Sequence, residues 1–225
     1  MDTSILTEIK KQTGKDPYFV GGYVRDHFLG RESKDVDVMV VGDATSVLDL
    51  TAKGWTPTGK SFPVFKHHDF PNVDLALARG ETKTGEGHNG FNYHLASSVQ
   101  EDLRRRDFTI NAMAVGVDGT LHDYFGGFID LKNRKIRCVS DAFSEDPLRV
   151  FRGARFAAQL DFDIDTQTIL KMRSLGEELL TLSKDRVREE FLKALDSDHP
   201  VKFFVALWEA DVLQVWFPEL DKLQF

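Results

Sequence analysis

Phe19-Val20-Gly21-Gly22-Tyr23-Val24-Arg25-Asp26 is followed, nine residues on, by Asp35-Val36-Asp37. The glycine pair opens a short amphipathic stretch, and glycine lets backbone N–H groups come close to an anion. The valine-rich run after it reads as a strand carrying two carboxylates one residue apart. Alternate side chains on a strand share a face, so Asp35 and Asp37 are expected to project together while Val36, Val38, Val40 and Val41 fill the core. Two unpaired carboxylates so close repel each other, and a divalent cation relieves that cost. Hard oxygen ligands suit magnesium bridged to substrate phosphates. An Asp-x-Asp alone is usually a solvent-facing pair. Beside a phosphate cradle it points to nucleotidyl transfer.

The bulk of the chain agrees with an ordinary globular protein. It has 225 residues, 41% hydrophobic and 29% charged, enough for one large or two modest domains. The single cysteine, Cys138, excludes an intrachain disulfide and fits a reducing, cytoplasmic compartment. Residues 1–13 mix charged and apolar residues, unlike a signal or transit peptide. No apolar run approaches a membrane span, so no membrane partner is expected. The net charge of −7 argues against a surface coated for nucleic acid. An RNA partner would need local basic patches, for which Arg104–Arg106, Arg149, Arg152, Arg155 and Lys184, Arg186, Arg188 are candidates. Such clusters also arise as solvated helix faces.

Residues 2–13 read as a helix, Tyr18-Phe19-Val20 as a brief strand, and Val24 to Leu29 as a helix. A strand is expected over Val36 to Val41 and a helix over Thr45 to Lys53. Further strands are expected at Val64-Phe65-Lys66, Val73 to Ala78 and Lys135 to Val139. Four glycines between Gly80 and Gly90 mark a mobile loop, and Ile110 to Val117 mixes a helix start with a strand. From Asp141 the periodicity turns helical. Helices are expected over Phe143 to Leu160, Thr166 to Leu175, Lys184 to Leu195 and Val201 to Ala210, with Pro200 and Pro218 at breaks. The expected fold is α+β: a head over 1–140 and an all-helical domain over 141–225.

The segment Gly21 to Asp26 with Asp35-Val36-Asp37 resembles the head domain of class II tRNA nucleotidyltransferases and bacterial poly(A) polymerases, within the polymerase-beta-like superfamily. Three further blocks carry the resemblance: Arg105-Arg106-Asp107-Phe108-Thr109-Ile110-Asn111-Ala112, Glu145-Asp146-Pro147-Leu148-Arg149, and Arg152-Gly153-Ala154-Arg155-Phe156-Ala157-Ala158. They occur in family order from about Tyr18 to the C-terminus. The resemblance implies a nucleotidyltransferase head with a mixed or antiparallel sheet and flanking helices, followed by a helical neck. In relatives, body and tail domains follow. Here Phe217 to Phe225 resembles the neck-to-body junction and the second half is missing. The chain is then either a piece of a longer protein or a short natural enzyme, and a second copy or a partner subunit could replace the missing parts.

The resemblance also implies roles. Asp35 and Asp37 would ligate two divalent ions, magnesium or manganese, that stabilise the attacking 3′-hydroxyl and the leaving pyrophosphate. Asp74, on the strand Val73-Asp74-Leu75, would be a third acid, ligand or base, although class II relatives are not uniform there. Read as residues, it could equally face solvent or pair with Arg79. Gly21, Gly22 and Arg25 form the triphosphate candidate, with Asp26 pairing with Arg25 or capping the helix. Arg105, Arg106 and Asp107 would hold phosphates and ribose, the carboxylate accepting from the 2′-hydroxyl, with Asn111 one turn on. Asp107 would also suit as the N-cap of a helix beginning at Phe108.

Pro147 fits the first turn of a helix capped by Asp146 or Ser144, with Glu145, Asp146 and Arg149 on one side of it. That group alone could be a capping motif with one salt bridge. In the family, the matching Asp and Arg present Watson–Crick-like edges to the incoming base. CTP and ATP fit, whereas UTP and GTP leave buried polar groups unpaired. Arg152 would touch the nucleotide or orient Asp146, and Arg155 would brace the domain interface. Arg186-Val187-Arg188-Glu189-Glu190 resembles the family's neck-stabilising motif. His67-His68-Asp69 lies between strands without a further ligand set at metal spacing and reads as a surface turn.

These implications converge on addition of C and A to a tRNA 3′ end from CTP and ATP without a nucleic-acid template. A poly(A) polymerase, or an enzyme adding CC or A alone, shares every motif quoted. A non-catalytic RNA-binding remnant is the alternative of a different class, and the intact Asp35, Asp37, Arg106, Asp107, Asp146 and Arg149 argue against it.

Overall fold

A computed structural model describes residues 1–33, 35–43, 45–59, 63–83 and 91–222. It divides into two compact units. Among the described residues, the first includes 91–106 and 110–128 with those before 84, and the second includes 107–109 and those from 129 on.

The first unit runs α1 (Ser4–Thr13), β1 (Pro17–Val20), α2 (Gly21–Phe28), β2 (Val36–Val40), α3 (Ser46–Ala52), β3 (Thr56–Thr58), β4 (Val64–His67), β5 (Phe70–Leu77), β6 (Arg79–Lys83), β7 (Phe91–Leu95), α4 (Val99–Arg104), β8 (Ala114–Val115) and β9 (Leu121–His122). Seven strands form one sheet in the order β3-β4-β5-β2-β1-β8-β9. The β2–β5 pair is parallel and its neighbours are antiparallel, giving the expected mixed sheet with flanking helices. Alternation along β5 buries Val73, Leu75 and Leu77 and sends Asp74 and Ala76 to the other face. Buried Leu6, Ile9, Phe19, Val24, Val38, Val40 and Trp55 complete the core of this unit.

Two expectations need correction here. Asp35 lies in a bend one residue before β2, exposed, so the strand itself carries Asp37 and not both carboxylates. The segment read as a loop from Gly80 begins as a strand: Arg79–Lys83 pairs antiparallel with Phe91–Leu95. The rest of that loop, residues 84–90, lies outside the described residues.

Helix α5 (Gly127–Lys132) leads into β10 (Lys135–Ile136). A 3₁₀ turn, Asp141–Glu145, then precedes α6 (Leu148–Leu160), β11 (Asp163–Ile164), α7 (Thr166–Ser174), α8 (Lys184–Leu195), α9 (Val201–Glu209), α10 (Leu213–Trp216) and α11 (Pro218–Asp221). Helix α6 packs on α8 and α9, with Val150, Phe151, Ala154, Phe203 and Leu207 buried between them. Side-chain caps set two of the starts. Asp165 accepts from the Gln167 and Thr168 N–H groups, and Ser183 from that of Arg186. The long helix expected from Phe143 is broken before Leu148, because Pro147 disfavours helical backbone at Asp146, which is extended. The second unit is also not wholly helical, since β10 and β11 pair in parallel.

The compact units do not part at residue 140. Asp107–Thr109 and residues 129–140 belong with the second unit. The Thr109 N–H donates to the Arg137 carbonyl (2.8 Å), the Val139 N–H donates to that of Asp107 (3.2 Å), and Phe108 bridges Cys138. The Thr109 hydroxyl donates to Asp130 (2.6 Å). Phe108 is fully buried with its ring edge-on to Phe143 and Phe156. Truncating such a ring costs about 3–5 kcal/mol. Phe108→Ala is therefore expected to lower hydrogen-exchange protection in α6 and α8 while protection of β2 and β5 holds. Equal loss in both sets would show that the segment does not belong to the second unit.

Candidate active site

In the first unit the site is built around the C-terminal side of β1 and the start of β2. Gly21 opens α2 with φ of 68°, in the left-handed region. A Cβ added there would stand 3.0 Å from Nη1 of Arg106 and 3.4 Å from Oδ2 of Asp37. One position thus needs glycine twice, for backbone and for space. Gly22 has neither requirement, since its φ is not positive and a Cβ would make ordinary contact with Arg25. The glycine pair is a pair in sequence but not in duty.

Asp37 on β2 stands directly across from Asp74 on β5. Burial pushes the Asp37 carboxyl above the usual range, and the neighbouring Asp74 and Asp35 charges push the same way. Arg106 and Arg25 pull against them without reversing the shift. The Asp74 carboxylate pairs with the Lys66 ammonium on β4, not with Arg79.

The arginines are held by other residues. Arg25 grips Asp26 through Nε and Nη2 (2.8 and 2.9 Å) and donates from Nη1 to Oδ1 of buried Asn111 (2.8 Å). Arg106 donates from Nε and Nη2 to Oδ2 of Asp102 (3.1 and 3.0 Å). Arg105 donates to Oδ1 of the same carboxylate (2.9 Å) and to the Arg79 carbonyl (2.9 Å). Asp102 also accepts the Arg79 N–H (3.1 Å) and is 1% exposed. Burial alone would raise its carboxyl, but the two guanidinium groups and the Arg79 N–H hold it below the usual range. The sequence reading missed Asp102. Its signal was an acid three and four residues before the two arginines on one helix.

In the second unit, Asp107 caps its own turn by accepting the Phe108 N–H (2.8 Å). The helix expected there is a single 3₁₀ turn, Thr109–Asn111. Arg152 donates to Oδ2 of Asp107 from Nε and Nη2 (2.8 and 2.5 Å), so it orients Asp107 and not Asp146. Asp146 caps α6 through the Leu148 N–H (3.1 Å) and accepts from Nη2 of Arg186 (2.9 Å). Arg149, buried, donates to the Ala142 carbonyl (2.5 Å). Glu145 ends the 3₁₀ turn just before them. Arg155 lies over the Phe156 ring and donates to Glu190 (2.5 Å) and Gln159 (2.6 Å), inside this unit.

His68 and Asp69 form the turn between β4 and β5, as the surface-turn reading expects. With buried His67 they bring three ligand atoms within 4.8 Å, a group that could hold a metal ion. Nδ1 of His67 meanwhile accepts the Asp69 N–H (3.2 Å), which staples the turn.

A left-handed glycine thus stands beside a half-buried carboxylate and a fixed guanidinium group, and comparison with known proteins identifies the family. Residues 17–137 match the family model described as the poly A polymerase head domain. Residues 161–224 match the one described as a probable RNA and SrmB-binding site of polymerase A. The chain belongs to the poly A polymerase head domain family. A multifunctional CCA protein from Dechloromonas aromatica (strain RCB) is 46% identical over 213 residues, covering 92% of this chain and 50% of that protein. The chain spans about half the length of the curated relatives it matches. The Thermotoga maritima CCA-adding enzyme complexed with tRNA_CCA superimposes with a TM-score of 0.77 at 30% identity, over 96% of this chain and 52% of that one. A CCA-adding enzyme in complex with CTP gives 0.75 at 29% identity, over 97% and 54%.

Two outcomes test this geometry. Removing one partner of a buried ion cluster costs about 3–5 kcal/mol, so Asp102→Asn should lower the melting temperature markedly at neutral pH. Because the folded Asp102 value is depressed, its stabilisation is complete above the unfolded value of about 3.9 and is lost as pH falls through the folded one. The wild type should therefore lose stability on acidification more steeply than the Asn variant, as melting across pH 2–6 would read. For Gly21→Ala, a left-handed alanine costs about 1–2 kcal/mol, and crowding of Arg106 adds to it. Gly22→Ala should melt near the wild type, a contrast that chemical denaturation can measure.

Proposed function

We propose that this chain carries out template-independent ribonucleotidyl transfer, adding C and A to the 3′ end of tRNA from CTP and ATP with release of pyrophosphate. The observation that carries the reading is Gly21, wedged between Asp37 and Arg106: an acidic ligand and a phosphate-binding cation meet at backbone that a side chain would block. Membership of the family and likeness to CCA-adding enzymes support it. Residues 1–140 would act as the nucleotidyltransferase head and 141–225 as the base-recognising neck, working in the cytoplasm. Among the described residues no helix is long and apolar enough to cross a membrane.

The donor set fits a divalent cation. Asp37 is a half-buried carboxylate with two further carboxylates near it and insufficient positive charge to offset burial. Asp35 and Asp37 would hold magnesium, or manganese in its place, and the bound ion would supply charge neutralisation at the reacting phosphate. Asp74 stands beside Asp37 as a third acid, paired with Lys66. Arg25 and Arg106, already fixed by Asp26, Asn111 and Asp102, would bind the triphosphate without ordering cost, with Arg105 buttressing them. Asp107, held by Arg152, would accept from the ribose 2′-hydroxyl. Asp146 and Arg149 would read the base, with Glu145 beside them. Each Asp146 oxygen has a second lone pair beyond the bond it already makes.

Incorporation assays with each NTP singly, on tRNA lacking its 3′ end, test the whole. The expected result is addition from CTP, then ATP, ending after CCA; unlimited addition from ATP would favour the poly(A) reading that the family description also allows. Asp37→Ala should abolish incorporation while leaving the fold intact, since several kcal/mol of transition-state stabilisation goes with a metal site. Arg149→Ala should lose about 1–3 kcal/mol of preference for CTP and ATP over UTP and GTP. Unchanged preference, measured as ratios of kcat/KM, would refute templating by this pair.

A further inference from the structure

Lys66 was not among the residues singled out for chemistry, yet it stands in line with the acidic set. Three adjacent strands, β4, β5 and β2, present Lys66, Asp74 and Asp37 in a row on one face of the sheet. The register pairs Asp37 with Asp74. The ladder between β4 and β5 is regular from Val64↔Ala76 to Phe65↔Leu75, then jumps to His67↔Phe70. In that gap one residue of β4, Lys66, faces the run Pro71 to Asp74. Pro71 cannot donate to a ladder, and bulges re-aim side chains. Flanking Phe65 and His67 are buried, so Lys66 points to the opposite face, where Asp74 lies. Oδ1 of Asp74 is itself covered, and the Lys66 ammonium is its ionic partner.

We propose that Lys66 is a positioning residue that withdraws Asp74 from metal ligation, leaving the divalent cation to Asp35 and Asp37. The inference rests on the metal-dependent reading above. The ammonium occupies the outer carboxylate of the row as a built-in monovalent counter-ion. Removing the lysine frees a third carboxylate, and affinity for hard cations rises with the number of charged ligands.

The test is Mn²⁺ titration of the nucleotide-free chain followed by electron paramagnetic resonance, independent of turnover. Lys66→Met should bind Mn²⁺ about tenfold more tightly than the wild type, the direction set by ligand charge count. Lys66→Arg, which keeps the cation, should bind as the wild type does. Asp74→Asn alone should change little, and the Lys66→Met/Asp74→Asn double variant should return to the wild-type value. A purely structural role for Lys66 would not tighten binding, nor would Asp74→Asn cancel the gain. Unchanged or weaker binding by Lys66→Met, with Asp37→Ala binding none, overturns the Lys66 proposal alone. Asp37→Ala binding as well as the wild type overturns the metal reading and this proposal with it.

Discussion

A carboxylate removed from water must be paired, and at Asp102 two arginines and a backbone N–H do the pairing. Most of the arrangement around Gly21 in the first unit follows from that requirement. Helix α4 places the acid one turn before Arg105 and Arg106, and the shared carboxylate fixes both guanidinium groups. Arg106 fixed in this way fills the space over Gly21, which is why that residue has no room for a side chain. The arginines are then not free charges awaiting a ligand. Their orientation entropy has already been lost in folding, so a phosphate meeting them orders little further.

The second unit solves the same problem with the roles exchanged. Arg155 is buried on α6 and Arg152 partly so, and acids come to them: Asp107 from just before the short 3₁₀ turn and Glu190 from α8. Aromatic rings line the charged stripe, and Arg155 lies 4.0 Å from the Phe156 ring centroid. Burial depresses the Arg155 guanidinium despite its partner, whereas Asp107 raises that of Arg152. The two arginines are one turn apart, yet one holds Asp107 and the other holds Glu190 and Gln159.

Much of this was legible in the sequence. Periodicity located the main helices to within a few residues, because amphipathic faces and caps are local. The Val36 to Val41 run and the Arg25–Asp26 pair were also local signals. What failed was non-local. Asp35 looked like a strand residue by alternation, but pairing starts at Val36. Glycine spacing suggested a loop from Gly80, although Arg79–Lys83 finds a partner strand further along the chain. Asp107 and Phe108 read as the start of a helix, and long-range bonds to Arg137 and Val139 decided otherwise. Lys66 carried no signal, since its meeting with Asp74 depends on a register that only the folded hairpin defines.

That register has a consequence for how the chain tolerates changes in length. Side chains alternate across a sheet with a period of two, so one residue gained or lost reverses every side chain beyond it. Between Phe65 and His67 the irregular ladder absorbs a surplus on β5, keeping Phe65, His67, Val73 and Leu75 inward while Lys66 and Asp74 meet on the other side. Shortening the Pro71–Asn72 stretch by one residue would leave the net charge unchanged, since both are neutral. Where the irregular ladder does not absorb that loss, it turns lysine and aspartate onto opposite faces and strips the carboxylate row of its fixed cation from β4. For this hairpin, a deletion of uncharged residues is an electrostatic mutation.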